Sequence, residues 1–261
     1  MSRTVFHARL FAIGLCLSMA ASVMAETCID APGAPPQTDV QRGLSTLYEN
    51  AMRALESFPS LRDTVSDRSP GLCYAERMDG AHGYLDVERN RIYITQDLPE
   101  EMQLGILLHE IRHLDQIALG ACPSDHLAME EYARATFALE ADASAISLLV
   151  AWQLKEKGQP AVWSALSSWD SQSDIAARFK QEMATVGTTG AAVSAAFDQW
   201  YASDHRRAQY YLSICSAYLD RQDASKALPR YLVLSPAFFD ELCTLPDGQR
   251  YLCSEPEHAR P

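Results

Sequence analysis

Basic side chains are in short supply. The 261-residue chain has 22 lysines and arginines against 34 acidic side chains, a formal net charge of −12. A surface of that sign repels phosphate backbones and anionic lipid, which argues against nucleic acid or an anionic membrane as a partner. Peptides and proteins stay open as substrates. No two cysteines are spaced C-x-x-C, so thiolate zinc ligation is the weaker reading of them. Internal repeats and low-complexity segments are also missing, which points to a globular domain. Past the N-terminal region, no run is long and charge-free enough to span a bilayer, so no stable membrane insertion is expected.

The front end is what remains of long hydrophobic sequence. Arg3, His7 and Arg9 precede a run from Leu10 to Met24 without charge, closed by Val23-Met24-Ala25. A basic start, a short apolar run and a small residue at its end read as a secretory signal peptide, residues 1–25, cleaved after Ala25. The mature protein is then expected to be periplasmic or secreted. Without Arg3 and Arg9, 20 basic side chains face 34 acidic ones, a net −14. The mature chain, 261 − 25 = 236 residues, is long enough for a single domain over 26–261 with a real core. Its core is expected over about 40–160, with a helical C-terminal part over 161–261.

One of the seven cysteines falls in the signal peptide, leaving Cys28, Cys73, Cys122, Cys215, Cys243 and Cys253. An even count in an exported chain predicts three disulfides, or at least two. Cys243–Cys253 is the local pair, because Pro246-Asp247-Gly248 between them is a turn.

Hydrophobic spacing predicts a mostly helical α+β protein. Val40, Leu44, Leu47, Ala51, Ala54, Leu55 and Phe58 recur at helical period, and Pro59 is expected to stop that helix, with a loop through Pro70-Gly71 and Cys73. Runs 84–87 and 91–95 are rich in β-formers and read as a hairpin. Asp97 is placed to cap the next helix, which runs to about Leu119 and ends at Gly120 and Pro123. A second long helix is expected from Ser124-Asp125 to about Lys157. Further helices follow at roughly 161–170, 172–186, 190–202 and 204–222, with a short one around 238–242.

The first of the long helices carries His109-Glu110-Ile111-Arg112-His113. Residues four apart share a helix face, so both imidazoles can reach one metal ion. Glu110 lies about 100° round the helix from His109, where a general base can take a proton from water. Ile106, Leu107, Leu108, Ile111 and Leu114 mark a buried helix, and buried histidines need partners. Two histidines leave a divalent ion short of its usual three protein ligands. The metzincin extension is missing, since Gln116 and Leu119 stand where its glycine and third histidine would be. Glu140, on the second long helix amid Ala138, Leu139, Ala141 and Ala143, is the favoured third ligand. Asp142 and Glu131 are the alternatives, and a salt bridge from Glu140 to Arg112 or Arg134 is its competing role. Asp142 can instead receive a ligand histidine's other N–H and fix its tautomer.

The motif helix with Leu114-Asp115-Gln116, the preceding hairpin and Glu140-Ala141-Asp142-Ala143 together resemble bacterial metallopeptidase domains of the HExxH glutamate-zincin type. The likeness covers about residues 80–160. It implies a zincin-like core, a small sheet with the motif helix and an antiparallel downstream helix. It also implies Zn2+-dependent peptide hydrolysis, with His109, His113 and Glu140 as ligands and Glu110 as catalytic base. One departure is that related domains often place the ligand three residues before an Ala-Asp pair, where this chain has Ala138. Strand 91–95 is the expected holder of an extended substrate. His205, Tyr210 and Tyr211 are candidates for stabilising the oxyanion, although a surface helix with buried tyrosines is the better account of them. His82, His126 and His258 read as solvated. The alternative to an enzyme is a secreted binding or assembly protein with a structural zinc site, which would be closed by four ligands and would not need Glu110.

Overall fold

The computed structural model describes residues 27–30, 35–75 and 81–256; the expected signal peptide lies outside them. In chain order the elements are β1 (Cys28–Ile29), α1 (Asp39–Ala54), a 3-10 turn (Leu55–Ser57), α2 (Pro59–Arg68), β2 (Gly71–Ala75), β3 (Gly83–Asp86), β4 (Arg91–Thr95), α3 (Glu100–Ala118) and α4 (Met129–Glu156). Five helices follow: α5 (Ala161–Ser168), α6 (Ser173–Thr185), α7 (Thr189–Tyr201), α8 (Asp204–Ser225) and α9 (Ala237–Leu242). Helices around one four-stranded sheet make the expected α+β, mostly helical class.

The sheet order is β1-β2-β4-β3, with β2 and β4 parallel and both outer pairs antiparallel. Period-two alternation turns Ile92 and Ile94 inward, both fully buried. Tyr93 faces the other way and stacks on Tyr84 of β3 at 4.7 Å. β4 is therefore an interior strand with both edges paired. This corrects the expectation that 91–95 holds substrate; among the described residues the outer strand beside it is β3.

Three boundaries differ from the sequence reading for identifiable reasons. Pro59 stands at the first position of α2, where its missing N–H costs nothing, so it starts a helix instead of closing one. Gly71, taken as loop, opens the buried strand β2. Asp97 does not cap α3, which begins after Pro99. The Gln103 side chain does the turning there, donating to the carbonyls of Gln96 and Leu98 at 2.8 Å each and accepting from the Tyr74 hydroxyl at 2.9 Å.

α3 is wrapped on nearly all sides, with apolar Ile106, Leu107, Leu108, Ile111 and Leu114 buried together with polar Glu110, Arg112, Asp115 and Gln116. Gly120, at φ 83°, supplies the left-handed turn after it. α4 returns alongside in the opposite sense, since Gln116 meets Leu139 whereas Arg112 meets Asp142. Its buried alanines 133, 135, 138, 141, 143 and 145 keep that contact close. By length and composition alone α4 could cross a membrane, but most of its apolar window is buried inside the protein. Two disulfides form, Cys28–Cys73 between β1 and β2 and the expected Cys243–Cys253. A third does not: Cys122 is exposed and Cys215 buried, each unbridged.

Candidate metal centre

His109 and His113 project from one face of α3, one turn apart, and α4 brings Glu140 to them. Glu140 Oε2 lies 3.4 Å from His109 Nε2, and Oε1 lies 3.4 Å from His113 Nε2. The two Nε2 atoms are 3.1 Å apart. All the donor atoms fall within 4.8 Å of one another, and this is the one such cluster found among the described residues. The three side chains are 16–17% exposed, so the cluster opens to solvent on one side. Glu140 thus meets the histidines and neither Arg112 nor Arg134.

Hydrogen bonding assigns the His113 tautomer. The Gln116 amide nitrogen donates to the Leu139 carbonyl at 2.9 Å and to Asp142 Oδ2 at 2.7 Å, both pure acceptors. Its oxygen must therefore face His113 Nδ1, 2.8 Å away, and accept a proton from it. That leaves the Nε2 lone pair aimed into the cluster. Without a cation, two imidazole lone pairs and a carboxylate would converge there. The protein's own answer is a proton: burial alone would lower the His113 pKa, but the charge of Glu140 and its hydrogen bond outweigh burial, pushing it to about 9. Burial likewise works against the Glu140 carboxylate, yet the two imidazoles hold its pKa far below the usual range. Nitrogen, nitrogen and carboxylate oxygen around one point fit a divalent transition metal, zinc among them.

Glu110 is buried beside this cluster. Desolvation raises its pKa, while the two histidines and a hydrogen bond from the Leu85 backbone N–H act the other way. In the β3–β4 ladder Thr95 N–H donates to the His82 carbonyl. With that register, the polar groups of Gly83 and Leu85 point away from β4. The outward edge of β3 therefore runs past Glu110. It can lie so near only because residue 83 is glycine: a Cβ there would stand 2.4 Å from Ile106 Cγ2 and 3.1 Å from Glu110 Oε1.

Tyr210, on α8, also reaches the centre. The Glu140 charge first, then burial and a hydrogen bond to Glu140, raise its phenol pKa well above the ordinary value. Trp200 packs edge-on against its ring at 5.3 Å. Tyr211 turns towards Cys215 instead. His82 packs on Trp169 at 5.4 Å; His126 and His205 are exposed and are not members of the donor cluster, and His258 lies outside the described residues.

The alternative third ligands are engaged elsewhere. Glu131 pairs with Arg134 at 2.6 Å, and Arg134 also with Glu255 at 2.7 Å. Asp142 is fully buried and does not touch a histidine. It takes Arg112 Nε at 2.6 Å and the Tyr251 hydroxyl at 2.5 Å, besides Gln116. Arg112 in turn bonds Asp115, and Asp115 accepts from Ser60 and Thr64 of α2. The sequence reading missed these supporting roles of Gln116, Asp115 and Tyr251. Polar residues 112, 115 and 116, spaced to share a face within an apolar helix, were the available signal.

Comparison with known sequences adds a family. Searches of curated proteins and of solved structures returned no match. A family model described as "Putative metallopeptidase family (DUF6782)" matches residues 20–253, taking in the motif helix, Glu140 and the C-terminal helices alike. With nearly the whole chain inside that match, the protein belongs to this metallopeptidase family.

Proposed function

We propose that the protein is an exported zinc peptidase of the glutamate-zincin type, acting on peptides or proteins. Zn2+ would be held by His109, His113 and Glu140, with Glu110 as the general base. The observation that carries this reading is the convergence of two imidazole nitrogens and a carboxylate with a second, buried carboxylate beside them. Zinc held by three protein ligands supplies Lewis acidity and lowers the pKa of water towards neutrality. Glu110 takes the proton of the attacking water and returns it to the leaving amine. The Leu85 N–H holds the Glu110 carboxylate in place.

Substrate would lie extended along the outward edge of β3, pairing with the Gly83 main-chain groups and the Leu85 carbonyl. Tyr210 stays protonated and can donate to the oxyanion as it develops. A structural zinc pin fits less well, because a fourth protein ligand is missing from the cluster among the described residues. The two disulfides and the basic, apolar, Ala25-ended front of the sequence support export.

Metal analysis with three variants tests this. Purified protein should carry close to one equivalent of zinc. Glu110→Gln should keep the metal and lose roughly a hundred- to ten-thousandfold in turnover. His113→Ala and Glu140→Ala should both release it. Zinc retained in full by Glu140→Ala would remove Glu140 from the ligand set. Wild-type turnover by Glu110→Gln would end the enzymatic reading.

A further inference from the structure

Residues 242–253 take part in a chain of buried hydrogen bonds that ends on His113. Cys243 and Cys253 close a turn in which Thr244 bridges Arg250, and the Tyr251 N–H donates to the Cys243 carbonyl at 3.2 Å. This turn, with the end of α9, offers three groups to the interior. The carbonyls of Leu242 and Thr244 accept from Arg112 Nη2 at 3.1 and 2.8 Å, and the Tyr251 hydroxyl donates to Asp142 Oδ1 at 2.5 Å. Arg112 and Tyr251 thereby hold one carboxylate from two sides. The other oxygen of that carboxylate takes the Gln116 amide at 2.7 Å, and Gln116 takes the His113 Nδ1 proton at 2.8 Å. Arg112, Asp142, Gln116 and Tyr251 are all buried, so water does not compete for these bonds.

We propose that the disulfide-closed turn 243–253 is a positioning element of the metal centre, acting through Tyr251, Asp142 and Gln116 on the His113 ring. The inference rests on the metallopeptidase reading above. A metal-ligating histidine needs its other nitrogen held, because that bond sets both tautomer and ring direction. Here the holder is an uncharged amide that could rotate. Asp142 prevents the rotation, and Asp142 is itself fixed from the C-terminal turn. Opening the turn leaves Tyr251 on a segment no longer tied to Cys243 through Cys253, two residues on. Asp142 then loses one of its donors, and of the two acceptors that orient the Gln116 amide, the one on Asp142 is held less firmly.

The test measures zinc affinity of the full mature chain by competition with a chromophoric chelator at one pH. The thermal midpoint of the metal-free protein is recorded alongside. Tyr251→Phe keeps the ring against Phe197 and the disulfide, removing one hydroxyl. It should weaken zinc binding by about tenfold, and Gln116→Ala by about ten- to a hundredfold. The pair Cys243→Ala and Cys253→Ala should weaken it comparably. Cys28→Ala with Cys73→Ala serves as control, since that bridge lies in the sheet and has no such path to His113. It should lower the midpoint and leave affinity unchanged. Wild-type affinity in Tyr251→Phe overturns the inference, as does an affinity loss in the control as large as that of the opened turn. If the opened turn does not fold, Tyr251→Phe decides alone. A wild-type chain that binds no zinc overturns the metallopeptidase reading, and this inference falls with it.

Discussion

At the proposed metal site, protons and metal would compete for His113. Its pKa of about 9 lies above the ordinary 6.5 because the charge of Glu140 outweighs burial. A pKa raised by folding means that the proton stabilises the folded state. For the metal-free chain that contribution is complete below pH about 6.5 and is lost as pH rises through about 9. The chelated protein should therefore lose thermal stability over that interval. The loss should shrink in His113→Gln, which has nothing to titrate, and in the zinc-loaded protein, where the metal has displaced the proton. A chelated wild type whose midpoint tracks that of His113→Gln from pH 6.5 to 9 would contradict the ionic contact with Glu140.

At the scale of elements, the proposed catalysis draws on the seam between β3 and α3. Gly83→Ala would push a methyl group to 2.4 Å from Ile106 Cγ2, a branched side chain with little room to yield. β3 must then shift, carrying the Leu85 N–H away from Glu110. The expected cost is about 1–3 kcal/mol of stability and about a hundredfold in kcat/KM, with zinc still bound. Unchanged kcat/KM in a folded Gly83→Ala would separate β3 from the chemistry. This seam was only half legible in the sequence. Period located the hairpin, the motif helix and all the later helices, because each has an apolar pattern and Gly or Pro marks several of their ends. It misplaced α2 and β2, where Pro59 and the Pro70-Gly71 pair serve as starts instead of stops. It also could not order the strands, since β2 pairs with β4 across the intervening β3 and no local signal encodes that pairing. His109, Glu110 and His113 were readable because helix geometry fixes their spacing. Glu140 was readable because a carboxylate among alanines needs a partner. Tyr210 lay 70 residues further on in an ordinary amphipathic helix, and its approach to Glu140 is a tertiary fact.

Over the whole molecule, Arg112 does what a larger apolar core residue cannot. Fully buried on α3, it meets Asp115 beneath α2, Asp142 on α4, and the carbonyls of Leu242 and Thr244 at the C-terminal end. Two segments distant in sequence, α4 and residues 242–244, are located against one guanidinium, and α2 is joined to it through Asp115. Its pKa is raised even though burial acts to lower it, because Asp142 and Asp115 supply two negative charges. Arg112→Met preserves much of the volume but leaves both carboxylates in the interior without their cation. Removing one side of a buried ionic group costs about 3–5 kcal/mol, a large share of the roughly 5–15 kcal/mol that holds a domain folded. The expected midpoint in denaturant is far below wild type. If the damage comes from uncompensated charge, adding Asp115→Asn and Asp142→Asn to Arg112→Met should recover part of it, although each Asn alone in the wild-type background destabilises. If the damage came from lost packing, the triple variant would be weaker still. Recovery of stability in the triple variant would also leave His113 without its anchored Gln116, so zinc affinity should stay low while the fold returns.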